Sequence, residues 1–152
     1  MVSIRLAGAD DSSRVAALRR EWVEEYAGAA VEDDTFEGAF SAWFDRERDH
    51  RVMWLAEADG QPVGMLNMMV FTRMPRPGRA RSEWGYVANV FVRAGHRDAG
   101  IGARLLDACT TYADEHRFVR LVLSPSERSV RLYRRFGFEP ASSLLVRPGS
   151  GD

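Results

Sequence analysis

Apolar residues recur along the chain with two periods, and each change of period marks an element. Ser3–Ala7 alternates as a short strand does. Behind Asp10 and Asp11, either of which can cap a helix, Val15, Leu18, Trp22 and Tyr26 fall at helical spacing. A second helix is expected from Asp34, where Glu37 completes a capping box and Phe36, Phe40, Trp43 and Phe44 form a buried stripe. Ala27–Asp34, with Glu32, Asp33 and Asp34 in a row, connects the two. The period then shortens to two. Arg51–Ala58 and Pro62–Phe71 read as strands joined by Asp59-Gly60, a hairpin turn whose two positions both want positive φ. Thr72–Ser82 holds prolines, a glycine and Arg73, Arg76, Arg79 and Arg81, and reads as a loop with a solvated basic face. Trp84–Val92 is a further strand, Ile101–His116 a helix with Ile101, Leu105, Cys109 and Tyr112 on one face, and Phe118–Leu123 a strand. Ser124-Pro125-Ser126-Glu127 has the form of a helix start, with Ser124 as cap, proline first and glutamate third. That helix is expected to reach Phe136 and stop at Gly137. Ser142–Val146 is expected to be a last strand, and Pro148–Asp152 a frayed tail.

A hairpin combined with two strand-helix crossovers predicts an α/β domain over residues 1–147. Its sheet should be mixed and mostly antiparallel, with about four helices on its two faces. At 152 residues, 45% hydrophobic and 28% charged, the chain has the size and balance of one globular domain. A formal net charge of −1 argues against bulk binding to nucleic acid. No apolar run approaches a membrane span, and the N-terminus lacks the apolar core of a signal peptide. The single cysteine, Cys109, cannot form an internal disulfide, which fits a cytoplasmic protein. All 21 basic residues are arginine, as a coding bias in a GC-rich bacterial genome would produce. Without lysine, Walker-type phosphate binding, Schiff-base chemistry and a pyridoxal anchor are excluded.

The chemistry-bearing stretch runs from Val90 to Leu106. A strand ends, the chain turns, and a helix opens with Gly100 and Gly102 in its first turn. A helical glycine costs about 1 kcal/mol relative to alanine, so its use here needs a reason. One reason is close approach of an anion to the unpaired first-turn amides at the positive end of the helix dipole; another is tight packing of the turn on the sheet. A Rossmann fingerprint fails at Leu105, and His96-Arg97-Asp98 matches a kinase triplet by letters only.

Arg97-Asp98-Ala99-Gly100-Ile101-Gly102 matches Q/R-x-x-G-x-G/A at a strand-to-helix junction. Tyr133-Arg134-Arg135-Phe136-Gly137-Phe138 matches Tyr-x-x-x-Gly-Phe at the end of the next helix. In both motifs and in their spacing, the chain over Trp84–Phe138 resembles the GNAT superfamily of N-acetyltransferases. The resemblance implies a GNAT-like sheet and an enzyme that moves an acetyl group from acetyl-CoA to a primary amine. Transfer would be direct, in a ternary complex, with no metal. Backbone groups of the Val90-Phe91-Val92 segment would pair with the pantetheine arm through Val90 and Val92. Amides from Arg97 through Ala103 (Asp98, Ala99, Gly100, Ile101 and Gly102 between them) would hold the pyrophosphate. The Val90 amide or a neighbour would polarise the thioester carbonyl. Tyr133 would protonate the departing thiolate, as a phenol can.

Two departures stand out. Ser126 occupies a position that is often asparagine in the family, and Tyr86 stands where many relatives place a glutamate base. Glu83 is a substitute candidate for the base, although three residues from Tyr86 it has the opposite strand parity unless a bulge intervenes. Asn89 could instead hold a water. The acceptor is an unnamed small-molecule or peptide amine. The acidic residues Glu21, Glu24, Glu25 and Glu32–Asp34 would suit a cationic one, or form only a solvated face. If not merely solvated, the four loop arginines would meet the CoA 3′-phosphate or an anionic acceptor. His50, His96, His116 and Cys109 lack metal-ligand spacing, and Cys109 reads as a core residue. Homodimerisation is common in the family. A non-catalytic acyl-CoA-binding sensor and a nucleotide-free interaction domain are the rival readings.

Overall fold

The computed structural model describes residues 1–151. In chain order it forms β1 (Val2–Leu6), α1 (Ser12–Ala27), α2 (Phe36–Glu47), β2 (Arg51–Ala58), β3 (Gln61–Thr72), β4 (Glu83–Val92), α3 (Ile101–Glu115), β5 (Leu121–Leu123) and α4 (Val130–Arg135). The strands lie in sequence order across one sheet; β1 to β4 pair antiparallel and β4 with β5 parallel. This is the mixed, mostly antiparallel sheet that the element order predicts. Asp59 and Gly60 take φ of 50° and 76°, as the hairpin between β2 and β3 requires.

Each face of the sheet carries a core. On one side α3 packs Ile101, Leu105 and Cys109 onto Trp54, Leu66 and Met68. On the other, Val15 and Leu18 of α1 and Phe44 of α2 cover Leu55, Met65 and Phe91. Because β3 is covered on both faces, Val63–Met68 reads as an almost unbroken apolar run rather than an alternation. Asn67 is the exception, polar and only 5% exposed.

The irregularity that matters lies in β4. Its register with β3 is regular from Glu83↔Thr72 to Tyr86↔Met69 and Val87↔Met68, then resumes at Asn89↔Asn67. Ala88 is therefore a bulge residue, and side-chain parity flips across it. Val87 packs with the α3 core, whereas Phe91 packs under α1. Pairing with β5 ends at the same place, Val87↔Leu123, so beyond the bulge β4 runs on without that neighbour.

Several local expectations are corrected. The Asp11 side chain accepts no bond from the first turn of α1: its carboxylate accepts from the Gly8 amide and the Arg5 guanidinium instead. The capping box at Asp34 does not form, because Glu37 pairs with Arg20, and Asp33 accepts from Thr35 at the turn before α2. The last helix starts later than Ser124-Pro125 suggests. Ser126 is still extended, Glu127–Ser129 is a 3-10 turn, and only Val130–Arg135 is α-helical. No strand forms at Ser142–Val146, where Leu145 is fully exposed; the three-residue β5 offers little edge to extend. Among the described residues no helix is long and apolar enough to cross a membrane.

Candidate active site

At the open end of β4 the backbone has unspent hydrogen-bonding capacity. Below the bulge the Gly85 amide donates to Arg120 O, so odd-numbered residues there face β5. Beyond it the Arg93 amide donates to Val63 O, so odd residues face β3 and the peptide groups of Val90 and Val92 point to the side β5 has left. The Val92 carbonyl is taken by Arg97 Nε at 2.8 Å; among the described residues Val90 keeps both groups free. The bulge thus produces a short exposed strand edge at the residues expected to pair with an extended ligand.

That edge leads into the turn before α3. Among the described residues, the amides from Asp98 through Ala103 have no hydrogen-bond partner, the first intrahelical bond being from Arg104 N to Gly100 O. Asp98 and Gly100 both have positive φ, 62° and 79°, which turns successive N–H groups toward one concavity. His96 Nδ1, buried at the start of this turn, also has no partner among the described residues. The two glycines differ in role. Gly100 is needed for its φ, whereas a Cβ on Gly102 would meet only Leu132 Cδ2, at 3.8 Å. Neither packs against the sheet. The space above Gly102 is therefore not required by the fold, and a cradle of free amides that a side chain would fill suits a phosphate-bearing ligand.

Arg97, the arginine of the motif, does not point into the cradle. It grips Glu25 with two bonds of 2.6 and 2.8 Å and lies 5.6 Å from the Phe91 ring centre. One helical turn earlier Glu21 of α1 accepts from Arg93. These pairs fasten α1 to both ends of the turn, and the Arg97 guanidinium holds Glu25 below the ordinary carboxylate range. Glu24 lies 3.7 Å from Arg20. The acidic face of α1 is thereby committed to arginines within the chain.

On the α1 and α2 side of the sheet, a cavity of about 260 Å³ opens over β3 and β4. Phe36, Phe40 and Trp43 form one wall, and Arg19, Asn67 and Asn89 supply its polar atoms. Asn67 Nδ2 donates to Asn89 Oδ1 at 2.8 Å, while Arg51 reaches Asn67 Oδ1 from behind at 3.4 Å. Asn89 is brought here by the bulge. Glu83 is not: no bulge separates it from Tyr86, so it shares the α3 face with Gly85 and Val87, and its carboxylate meets Arg81 at 3.3 Å. Among the described residues no carboxylate lines the cavity. Asn67 carried a signal in the sequence, an amide inside an apolar strand; Arg19 carried none, being one of two adjacent arginines on an amphipathic helix.

Tyr133 lies in a second, mainly apolar cavity of about 320 Å³ between β5, α4 and the chain after Phe138, whose ring centre is 5.8 Å from its own. Burial raises its phenol pKa and keeps the proton on at neutral pH. The structure thus brings Val90, Val92 and the Asp98–Ala103 amides into one continuous line, with Asn89 and Tyr133 in separate cavities. Ser126 Oγ bonds Ser129 Oγ at 2.8 Å at the exposed start of the last turn. Cys109 is fully buried, its thiol pushed up to about 12, and sits 3.8 Å from Met68 Sδ as a core residue. Among the described residues no group of His, Cys, Asp or Glu could hold a metal.

The model of the Acetyltransferase (GNAT) family matches residues 15–138. Glucosamine 6-phosphate N-acetyltransferase of Trypanosoma brucei brucei is 31% identical over 80 residues, which are 52% of this chain and 52% of that protein. The chain is thus matched over about half the length of this relative. Among solved structures, a predicted acetyltransferase with acetyl-CoA from Clostridium acetobutylicum superposes with a TM-score of 0.75 at 21% identity, over 97% of this chain and 96% of that one. A GCN5-related N-acetyltransferase from Ralstonia eutropha gives a TM-score of 0.72 at 26% identity, over 99% and 100% of the two chains.

Proposed function

Since the chain belongs to the GNAT acetyltransferase family, we propose that it transfers an acetyl group from acetyl-CoA to a primary amine by direct attack in a ternary complex. The observation that carries the reading is the continuity between the β4 edge, open at Val90 and at the Val92 amide, and the unpartnered amides of Asp98–Ala103. An extended arm ending in a pyrophosphate needs that pair of features in that order. The edge groups of Val90 and Val92 orient the arm, and the amides neutralise the pyrophosphate.

In the transfer, the acceptor nitrogen forms a bond to the acetyl carbon, the carbon–sulfur bond breaks, and the ammonium proton leaves. A backbone amide of β4 stabilises the carbonyl oxygen as it gains charge. Tyr133, kept protonated by burial, gives its proton to the departing thiolate and regains one from solvent as the products leave. The proton from the amine passes to a water held at Asn89, because Glu83 lies on the opposite face. Most of the acceleration is positional.

A non-catalytic acyl-CoA sensor is the second reading, favoured by one observation: among the described residues no carboxylate lines the cavity under α1 and α2, which the enzyme reading gives to the acceptor, and Tyr86 stands where the family resemblance puts a base. Calorimetric titration with acetyl-CoA, alongside thiol release over an amine panel, separates the two. Turnover of any amine supports the enzyme, and binding without turnover supports the sensor. A folded chain that does not bind acetyl-CoA refutes both.

A further inference from the structure

The acceptor cavity carries one charge, and it is positive. Among the described residues Arg19 is the only charged one lining it. Among the described residues Arg14, Arg20, Arg51, Arg93 and Arg97 each meet a carboxylate within 4.0 Å, while Arg19 does not. Its guanidinium instead lies 5.0 Å from the ring centre of Trp22, which stacks on Phe91 at 5.5 Å. A planar cation parked on an aromatic face at the rim of a cavity keeps its in-plane N–H donors free for an oxyanion, which it can take with two bonds.

The other groups restrict the acceptor further. Phe36, Phe40 and Trp43 contact one another at 5.7 and 5.3 Å between ring centres and give an apolar wall opposite the donors. The Asn67–Asn89 pair leaves the Asn89 amide nitrogen free to donate. Among the described residues no carboxylate lines the cavity to pair with a second cationic centre, and the glutamates of α1 that could have done so are held by Arg93, Arg20 and Arg97. At about 260 Å³ the cavity is also below the usual volume for drug-sized ligands, roughly 300–1,000 Å³, which suits a small metabolite.

We infer that the acceptor is a small amine that also carries an oxyanion, a carboxylate or a phosphate, and that Arg19 is the residue that selects it. The inference rests on the acyl-transfer reading above. It is tested by thiol release with wild type, Arg19→Gln and Arg19→Lys on matched acceptors. Glucosamine 6-phosphate against glucosamine forms the phosphate arm, phenylalanine against phenylalaninamide the carboxylate arm, and spermidine supplies a cationic control. The charged member of at least one arm is expected to lead its neutral partner by about tenfold in kcat/KM, the size of one charge-assisted contact. That ratio should fall to near one in Arg19→Gln and return in part in Arg19→Lys, which keeps the charge but not the two-bond fork. Equal use of neutral members in both arms, preference for spermidine, or a ratio that survives Arg19→Gln overturns the inference. If acetyl-CoA binds and nothing turns over, the acyl-transfer reading fails separately. Calorimetric titration of the same probes into the CoA complex then decides: binding of a charged member by wild type but not by Arg19→Gln supports the selection, and no such difference overturns it. Loss of acetyl-CoA affinity in Arg19→Lys would assign the arginine to the other substrate and also overturn it.

Discussion

Asp11 illustrates how much one carboxylate can organise. It accepts from the Gly8 amide and from both terminal nitrogens of Arg5, whose Nε meets Glu57 on β2. With 7% of its surface exposed and the Arg5 guanidinium beside it, its pKa is lowered from 3.8 to about 2. A depressed carboxylate stabilises the fold fully above its unfolded value and loses that contribution as pH falls through its folded value. Wild type should therefore lose stability relative to Asp11→Asn between pH 3.8 and about 2, seen in denaturant midpoints measured across that range. At neutral pH the same substitution should cost about 1–3 kcal/mol, because Arg5 and the Gly8 amide lose an ionic partner. Tyr133 answers a different question. Tyr133→Phe keeps the packing with Phe138 and removes only the proton, so kcat should fall by roughly 10²-fold with acetyl-CoA affinity retained. An unchanged kcat would leave Tyr133 as a channel-lining ring.

Among the elements, β4 and the first turn of α3 matter most. The glycines of the motif were legible as a turn onto a helix, but two explanations for them stood until the structure showed open space above Gly102. Gly102→Ala should consequently move two measurements in opposite directions. Helix propensity should leave stability unchanged or higher, by up to about 1 kcal/mol. Acetyl-CoA affinity should drop at least tenfold by calorimetry, since the methyl group occupies the approach to the amides. A variant that loses stability instead would show that the glycine serves packing. The Ala88 bulge was not legible. Val87-Ala88-Asn89-Val90-Phe91 has no alternation for an extra residue to break, and only the register against β3 reveals it. The hydrophobic pattern tolerates it because both faces of the sheet are covered, so a flip of parity buries Phe91 under α1 instead of exposing it.

For the molecule as a whole, the site is built by elements distant in sequence, and a ligand that joins them should stabilise all of them together. The Arg93–Glu21 and Arg97–Glu25 pairs tie α1 to the turn before α3, which carries the free amides. At a hundred times its dissociation constant, acetyl-CoA should add about 2.7 kcal/mol. That corresponds to a rise in Tm of roughly 5–10 °C for a domain of this size. Differential scanning of wild type beside Gly102→Val reads it directly, and a shift of equal size in the variant would place the ligand elsewhere. What was written in the order of residues is whatever local physics decides: the periods that set most strands and helices, the Asp59-Gly60 hairpin, the glycine turn, and the paired motifs that mark the family. Ser142–Val146 shows the limit of such reasoning, since an apolar run becomes a strand only where an edge of adequate length exists to pair with it. The departure of β5 from β4, the exclusion of Glu83 from the cavity, the pairing of the α1 glutamates and the isolation of Arg19 were all settled by tertiary structure. The strand registers and the pairs such as Arg93–Glu21 that settle them join residues far apart in the chain. Spacing along a sequence carries information about neighbours within a turn or two of helix or along one strand, and that longer pairing is outside its reach.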